Sequence, residues 1–541
     1  MPATHDVTNQ VPLLKGHDVA DDPALLEGLR REGAGWAEDE LHELGRLAGS
    51  ERVQEWGRLV NENRPRLRTH DAVGHRIDEV EFHPHWHDLM EVAVSHGLHA
   101  APWREDRPGT HVARAAKFYV WSQAEAGHGC PISMTYSAVP ALRHNPELAE
   151  RYEPLLAARE YDYGLREPGG KRGLIAGMSM TEKQGGSDVR VNTTTARPAG
   201  DGSHVIVGHK WFTSAPMSDM FLTLAQAPGG LSCFLLPRVL PDGTRNRILL
   251  QRLKDKLGNH SNASAEIEYD EAIGWLVGEE GRGVRTIIEM VNNTRLDCVL
   301  GTASGMRYGT VRATHHARHR HAFGRALAEH PAMANVLADL ALEAEAATTV
   351  ALRLAGAGDR AAAGDTAEDA FRRLGLAVTK YWVCKRGPAH AAEALECLGG
   401  NGYVEESGMP RLFRESPLMS IWEGSGNVAA LDTLRAMAKR PDSVEAFFTE
   451  VDRAAGADAR LDEAVAHVRK DLADLSDVEF RARRLVERMA LVLQGSLLVR
   501  HAEPAVADAF CASRLGGDWG VAFGTLPAGV DTEAIVARVL P

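Results

Sequence analysis

The sequence predicts an α+β protein: a helical N-terminal domain, a central antiparallel β domain, and a C-terminal helical bundle that runs on into a helical extension. Three observations carry this. Apolar residues before about position 175 recur at helical spacing. Between about 174 and 277 the texture changes to short β-rich runs separated by turn signals. From about 283 onward, long Ala- and Leu-rich stretches return with few helix breakers. The order is helices, strands, helices, not alternating βαβ, and it sets boundaries at 1–175, 176–280, 281–440 and 441–541.

In the first part, Asp22-Pro23 opens an amphipathic run with Pro at a first helical turn, Ala24-Leu25-Leu26-Glu27-Gly28-Leu29. Residues 112–126 place Val112, Ala115, Phe118, Tyr119 and Trp121 mostly at helical spacing. In the second part, His204-Val205-Ile206-Val207, Phe221-Leu222-Thr223-Leu224, Cys233-Phe234-Leu235-Leu236 and Ala265-Glu266-Ile267-Glu268-Tyr269 read as strands. Gly200-Asp201-Gly202, Pro228-Gly229-Gly230 and Pro241-Asp242-Gly243 punctuate them, which suggests an antiparallel sandwich or barrel. In the third part, residues 332–355 and 371–398 are apolar over much of a helical circumference, the latter interrupted only at Gly387-Pro388. Such helices pack inside a bundle or at a subunit interface. Beyond Arg440-Pro441 a heptad-like run covers 461–498.

A chain of 541 residues corresponds to three or four domains at about 150 residues each. With 44% apolar and 25% charged residues, it is neither disordered nor fibrous. The net charge of -13 excludes a globally basic nucleic-acid binder but leaves room for a local patch. Six cysteines without CxxC spacing argue against a disulfide scaffold or a zinc site and fit a reducing cytoplasm. The polar start, MPATHDVTNQ, shows no signal peptide, and no apolar run approaches the roughly 18 residues of a membrane span. His83, His85 and His87 alternate, and His315 and His319 are one turn apart, but no Cys or acidic set completes either group, so no metal is expected.

Three segments concentrate chemistry. The first is Gly177-Met178-Ser179-Met180-Thr181-Glu182-Lys183-Gln184-Gly185-Gly186-Ser187-Asp188, where backbone N–H groups at the glycines and the Thr181 and Ser187 hydroxyls suit an anion or a heterocycle edge. A plain polar loop is the competing reading. The second is Gly208-His209-Lys210-Trp211-Phe212-Thr213-Ser214, where a Trp beside hydroxyls suits a flat ring; the alternative is an aromatic core plug. The third runs from Leu398-Gly399-Gly400-Asn401-Gly402-Tyr403 to Ile421-Trp422-Glu423-Gly424-Ser425-Gly426-Asn427. There a carboxylate beside Ile and Trp, desolvated, has the character of a base, while a helix cap and structural loop is the alternative.

Together, in this order, the segments resemble the acyl-CoA dehydrogenase family, with Lys256-Leu257-Gly258, 278–283 and Arg320-His321-Ala322-Phe323-Gly324 as supporting matches. The AidB-type branch resembles nearly the whole chain, including Arg31-Glu32-Gly33-Ala34-Gly35-Trp36, Phe82-His83-Pro84-His85-Trp86-His87, and the stretches 254–259 and 261–264. The resemblance implies a FAD cofactor. It puts Met180, Thr181, Ser187 and Asp188 on the ribityl chain, phosphates and pyrimidine edge, and Trp211, Thr213 and Ser214 against the isoalloxazine. It has Trp422, Gly424 and Asn427 close the cofactor from the bundle side, and Arg320, Phe323, Gly399 and Gly400 reach it across a subunit interface. Glu423 aligns with the α-proton base. The branch further implies a homotetramer, double-stranded DNA binding linked to the alkylation response, and weak acyl-CoA dehydrogenase activity. The alternative is a metabolic dehydrogenase acting on a branched or short-chain acyl-CoA. Two departures stand out: Glu329-His330-Pro331 lies where the family often has Gln, and Lys183-Gln184 follows Glu182 where the family has Pro.

For DNA, the candidate residues are Arg435, Lys439 and Arg440, with Arg481, Arg484 and Arg488 on one helical face of a net acidic tail. A solvated, acid-paired helix face is the competing reading. No base-reading motif is present, so binding is expected to be sequence-independent.

Overall fold

The computed structural model describes residues 4–540. By contacts the chain divides into two compact units: Met1–Val53 with Pro108–Gln123 and Cys298–Pro541, and Gln54–Arg107 with Ala124–Asp297.

The second unit holds the sheet. A hairpin of β1 (Arg66–His70) and β2 (Arg76–Glu81) precedes it, inside the part expected to be helical. The main sheet has seven strands: β3 (Ala176–Ser179), β4 (Thr195–Pro198), β5 (Ser203–Ser214), β6 (Met220–Ala227), β7 (Gly230–Pro237), β8 (Ile248–Leu253) and β9 (Ser264–Val277). Their order is β3-β6-β4-β5-β9-β7, with β8 on β9, and β6 also pairs β7, so the sheet closes on itself as a barrel does. Most pairings are antiparallel, as expected, but β3 and β4 each pair β6 in parallel. No hairpin joins these pairs; β3 enters the sheet from helical chain and meets β6 some 40 residues later. Between β6 and β7 the turn is Pro228-Gly229, and Gly230 takes φ +115°, a left-handed conformation that glycine adopts without penalty.

Two irregularities in this sheet face one residue. On β5, Trp211 and Phe212 bulge out between the pairs Lys210–Ile267 and Thr213–Ala265. On β8, the register slips between Leu250 and Arg252. Both slips lie opposite Glu266 of β9 and re-aim the side chains around it.

In the first unit, α1 (Pro23–Arg31) starts where expected; Asp22 caps it by accepting from the Ala24 and Leu25 N–H groups. The α2 helix (Gly283–His319), which belongs to this unit from Cys298 onward, leads to a small hairpin, β10 (His321–Ala322) and β11 (Arg325–Ala326). The long helices α3 (Pro331–Ala362) and α4 (Thr366–Glu396) follow, then α5 (Met409–Ile421) and α6 (Gly426–Lys439). Pro388 sits inside α4 without ending it. The extension adds α7 (Pro441–Val451), α8 (Ala459–Ala473) and α9 (Val478–His501). The heptad-like run is therefore two helices, parted where Asp477 turns left-handed at φ +51°. Phe523 of the extension packs in one cluster with Leu337, Leu340 and Met409 of the bundle. Buried ion pairs join extension and bundle as well. Arg514 meets Asp339 and, at 3.0 Å, Glu343; Arg353 pairs with Glu450 at 2.8 Å. Among the described residues no helix is long and apolar enough to cross a membrane.

Candidate functional site

In the sheet unit, the first two sequence segments are joined directly. The Trp211 N–H donates to the Thr181 carbonyl over 2.8 Å. Beneath this link, Lys210 of β5 donates to Glu182 over 2.8 Å, with both side chains fully buried. Lys210 also donates to the Leu224 carbonyl, and Glu182 accepts from the Thr193 and Thr194 N–H groups at 2.7 and 3.2 Å. Burial acts to raise the Glu182 carboxyl, but Lys210 and these N–H donors overcome it and hold the group well below the usual carboxylate range. Burial pulls the Lys210 ammonium down to about 8 against the opposing pull of Glu182. The pair pins the loop 180–188 to the sheet.

That loop leaves Ser187 and Asp188 exposed and Met180 and Thr181 half-buried. Asp188 accepts from the Arg190 backbone and guanidinium. Gly186 packs so tightly on Thr181 that a Cβ there would stand 2.4 Å from its hydroxyl, whereas Gly185, at φ +142°, faces open space. Thr213 is fully buried with its hydroxyl bonded to Ser179; Ser214 is half-buried. The sequence reading missed the cations around Trp211. The Lys254 ammonium lies 3.2 Å from the Trp211 ring centroid, with Lys183 and Arg252 at 5.8 and 5.9 Å. Glu266 holds Lys254 at 2.6 Å and Arg252 at 2.8 Å, so the paired bulges organise this arrangement. Trp211 is thus packed against an ammonium at one face. The nearby signal in sequence was Lys183 in place of the family's Pro.

In the helical unit, the third segment forms a sharp turn between α5 and α6. Trp422 caps α5, Glu423 is left-handed at φ +57°, and Gly424 continues at φ +106°. Glu423 is half-buried with its Oε2 removed from water. Asn427 is exposed in the first turn of α6. From α4, the buried Lys380 donates to the Gly424 carbonyl and, at 3.5 Å, to that of Ser420. Gly399 and Gly400 are exposed, with space where a Cβ would stand.

The hairpin carrying Arg320 and Phe323 projects outward: Phe323, at its tip with φ +50°, is 96% exposed. Asn9 grips its base. The Asn9 amide donates to the His321 carbonyl over 2.8 Å, its Oδ1 accepts from the His321 N–H over 2.9 Å, and Arg320 donates to the Asn9 carbonyl. The imidazole of His315 meets the Pro12 carbonyl at 2.8 Å, and that of His319 the His315 carbonyl. In the other histidine group, His85 pairs with Asp88 and His87 with Tyr161.

Of the basic residues, Arg435 and Lys439 lie one turn apart, exposed, on α6. Arg440 differs from them: Asp442 at 2.7 Å and Asp369 at 3.3 Å answer its charge. Arg488 pairs with Asp471 of α8, and Arg481 donates to the Asp474 and Ser476 carbonyls.

The residues fit a flavin dinucleotide in chemical kind. They offer an open glycine loop with exposed hydroxyl and backbone groups, an aromatic ring in a cationic setting, and exposed glycines that leave room.

Comparison with known proteins agrees with this chemistry. Residues 9–163 match the adaptive response protein AidB N-terminal domain, residues 177–272 the acyl-CoA dehydrogenase middle domain, and residues 281–438 the acyl-CoA dehydrogenase C-terminal domain. The chain is 47% identical to the AidB protein of Escherichia coli (strain K12) over 524 residues, 96% of each. It is 31% identical to acyl-CoA dehydrogenase family member 11 of Caenorhabditis elegans, covering 89% of this chain and 84% of the relative. Among solved structures, C. elegans ACDH-11 in complex with C11-CoA superposes with a TM-score of 0.86 at 27% identity, over 100% of this chain and 94% of that one. A Bacillus anthracis acyl-CoA dehydrogenase complexed with FAD shares the fold at a TM-score of 0.66 and 18% identity, over 84% and 85% of the chains.

Proposed function

The chain belongs to the acyl-CoA dehydrogenase family, on its AidB-type branch, and from that premise we propose a FAD-dependent flavoprotein in which Glu423 is the base toward an acyl-CoA. When bound, FAD supplies the two-electron chemistry. The rest falls to the chain. Glu423 takes the α-proton of the thioester at a carboxylate oxygen that the turn keeps from bulk water. Trp211 offers a stacking face, and the Glu182–Lys210 pair holds the loop 180–188, whose Met180, Thr181, Ser187 and Asp188 hold the cofactor with Ser214. Trp422, Gly424 and Asn427 complete its enclosure, and Arg320, Phe323, Gly399 and Gly400 reach it from a second copy in a homotetramer. Phe323, an apolar side chain almost wholly exposed at a hairpin tip, supports such a partner.

The observation that carries the proton-transfer reading is the left-handed Glu423, a strained conformation for a residue without glycine's freedom, set at a water-poor turn. The test is anaerobic mixing of the flavin-loaded protein with C11-CoA. Wild type is expected to bleach its flavin absorbance, and Glu423→Gln to lose the reaction at least a hundredfold. A purified protein without flavin absorbance overturns the cofactor assignment altogether.

A second reading concerns what the protein does in the cytoplasm: binding double-stranded DNA without sequence preference and protecting it from alkylation, with dehydrogenase activity residual. Two exposed cations one turn apart, Arg435 and Lys439, support it on an otherwise acidic molecule. Gel shift on duplex DNA at low salt tests it; no shift removes it and leaves a metabolic dehydrogenase acting on a branched or short-chain acyl-CoA.

A further inference from the structure

Lys380 lies midway along α4 and is 1% exposed. An ammonium so buried is costly unless a countercharge stands by. Among the described residues it forms no ion pair with a carboxylate; it donates to the carbonyl oxygens of Gly424 and Ser420. Ser420 is in the last turn of α5, where the helix dipole presents negative charge, so the end of α5 and the reversed chain beyond it together receive the ammonium. Glu423 sits between these two carbonyls in sequence. It and Gly424 are consecutive left-handed residues, and left-handed Glu has no short side chain to stabilise itself locally as Asn or Asp does. The turn therefore needs an outside hold, and Lys380 is placed to give one at both ends of it.

We propose that Lys380 is a positioning residue for Glu423: its ammonium clamps the Ser420 and Gly424 carbonyls and so fixes the turn that presents the carboxylate. The inference rests on the reading of Glu423 as the base for its consequence in catalysis, but not for the clamp itself. An uncharged side chain of similar length, such as Met, fills the same space and spares the desolvation of a cation. The charge is thus explained by what it does to the turn, not by packing.

The experiment uses the full chain with Lys380→Met, Lys380→Gln and Glu423→Gln. Hydrogen exchange of the peptide spanning 418–428 is followed by mass spectrometry, and flavin bleaching by C11-CoA is followed in the flavin-loaded proteins. In Lys380→Met, exchange of the turn amides is expected to quicken at least tenfold while the thermal midpoint holds. The bleaching rate is expected to fall at least tenfold at an unchanged half-saturating concentration. Lys380→Gln, which keeps a donor, is expected to recover part of both. Unchanged exchange in Lys380→Met overturns the clamp, as does a rise in half-saturation with the rate intact. Full bleaching by Glu423→Gln overturns the base assignment instead; the exchange result then decides the clamp alone.

Discussion

Lys210 and Glu182 meet at 2.8 Å with neither side chain reaching solvent, and they tie strand β5 to the loop 180–188. Removing one partner of such a pair strands a buried charge, at a cost of about 3–5 kcal/mol. Lys210→Met is expected to lower the unfolding free energy by that amount and to release bound flavin more readily. Lys210→Met combined with Glu182→Leu is expected to regain much of the stability but not the flavin affinity, because the Thr193 and Thr194 N–H groups lose their acceptor. Denaturation curves and flavin dilution measure the two effects separately.

Arg514 stands within the bundle's carboxylates, Asp339 and Glu343. Arg514→Met is expected to cost about 3–5 kcal/mol by the same reasoning. Arg453, whose side chain is 53% exposed in its pair with Glu450, serves as the control: Arg453→Ala is expected to change stability by less than about 1 kcal/mol. Equal effects of the two in urea denaturation would contradict the idea that the extension is anchored by buried charge.

Acid is expected to weaken the helical unit in two steps. Burial holds His390 down to about 4. Above about 6.5 both folded and unfolded forms leave it neutral; below that the unfolded chain takes a proton that the folded one refuses. Stability is therefore lost as pH falls from about 6.5 to 4, by up to about 3 kcal/mol. Against burial, which raises it, Arg386 and Arg514 hold Glu343 down to about 2, so its contribution is whole above about 4.5 and disappears toward 2. Unfolding midpoints measured across pH should show both limbs, and His390→Gln should flatten part of the upper one, which His17 and His501, also held down to about 4 by burial, share.

If α6 contacts DNA, Arg435→Gln and Lys439→Gln are each expected to reduce the slope of log affinity against log salt by about 0.9, as loss of one phosphate contact requires. Arg440→Gln is expected to change it little, because Asp442 and Asp369 already neutralise it. Anisotropy titrations of a labelled duplex at several salt concentrations give the three slopes. Equal losses from all three would point to a general field and not to the exposed pair.

Asn9→Ala is expected to free the base of the β10–β11 hairpin, quickening exchange of the His321 amide several-fold, since two hydrogen bonds are lost at an exposed site. Exchange measured on the 316–330 region decides it; an unmoved rate means the hairpin holds itself.

Sequence carried the local features well and the distant ones poorly. Asp22-Pro23 announces its helix because cap and proline act within one turn. Strands β5, β6, β7 and β9 show through their β-rich runs and turn residues, whereas β3, β4 and β8 carry no such signal, and the glycines at 185, 186 and 424 fall in loops while Gly426 opens α6. The break at Asp477 was hidden because apolar spacing continues on both sides of it. Lys254 on Trp211 could not be read, since it depends on two bulges meeting across Glu266 from different strands. Nor could Asn9 be joined to His321, 312 residues away, or Lys380 to the turn after α5. Pairings of that kind are decided by topology, and no local periodicity reports them.

The dependence of Asp339 and Glu343 on Arg514 has a bearing on descent. A lineage that lost the chain beyond α9 through one stop codon would keep a bundle with Asp339 stranded at its centre, while Glu343 would keep Arg386 at 3.2 Å. Only after Asp339 was replaced by a neutral residue could the extension be discarded without that penalty, and until then the replacement is not favoured, because it would leave Arg514 short of a partner. The added length is held in place by this mutual dependence, a ratchet that works whether or not the extension serves a ligand of its own.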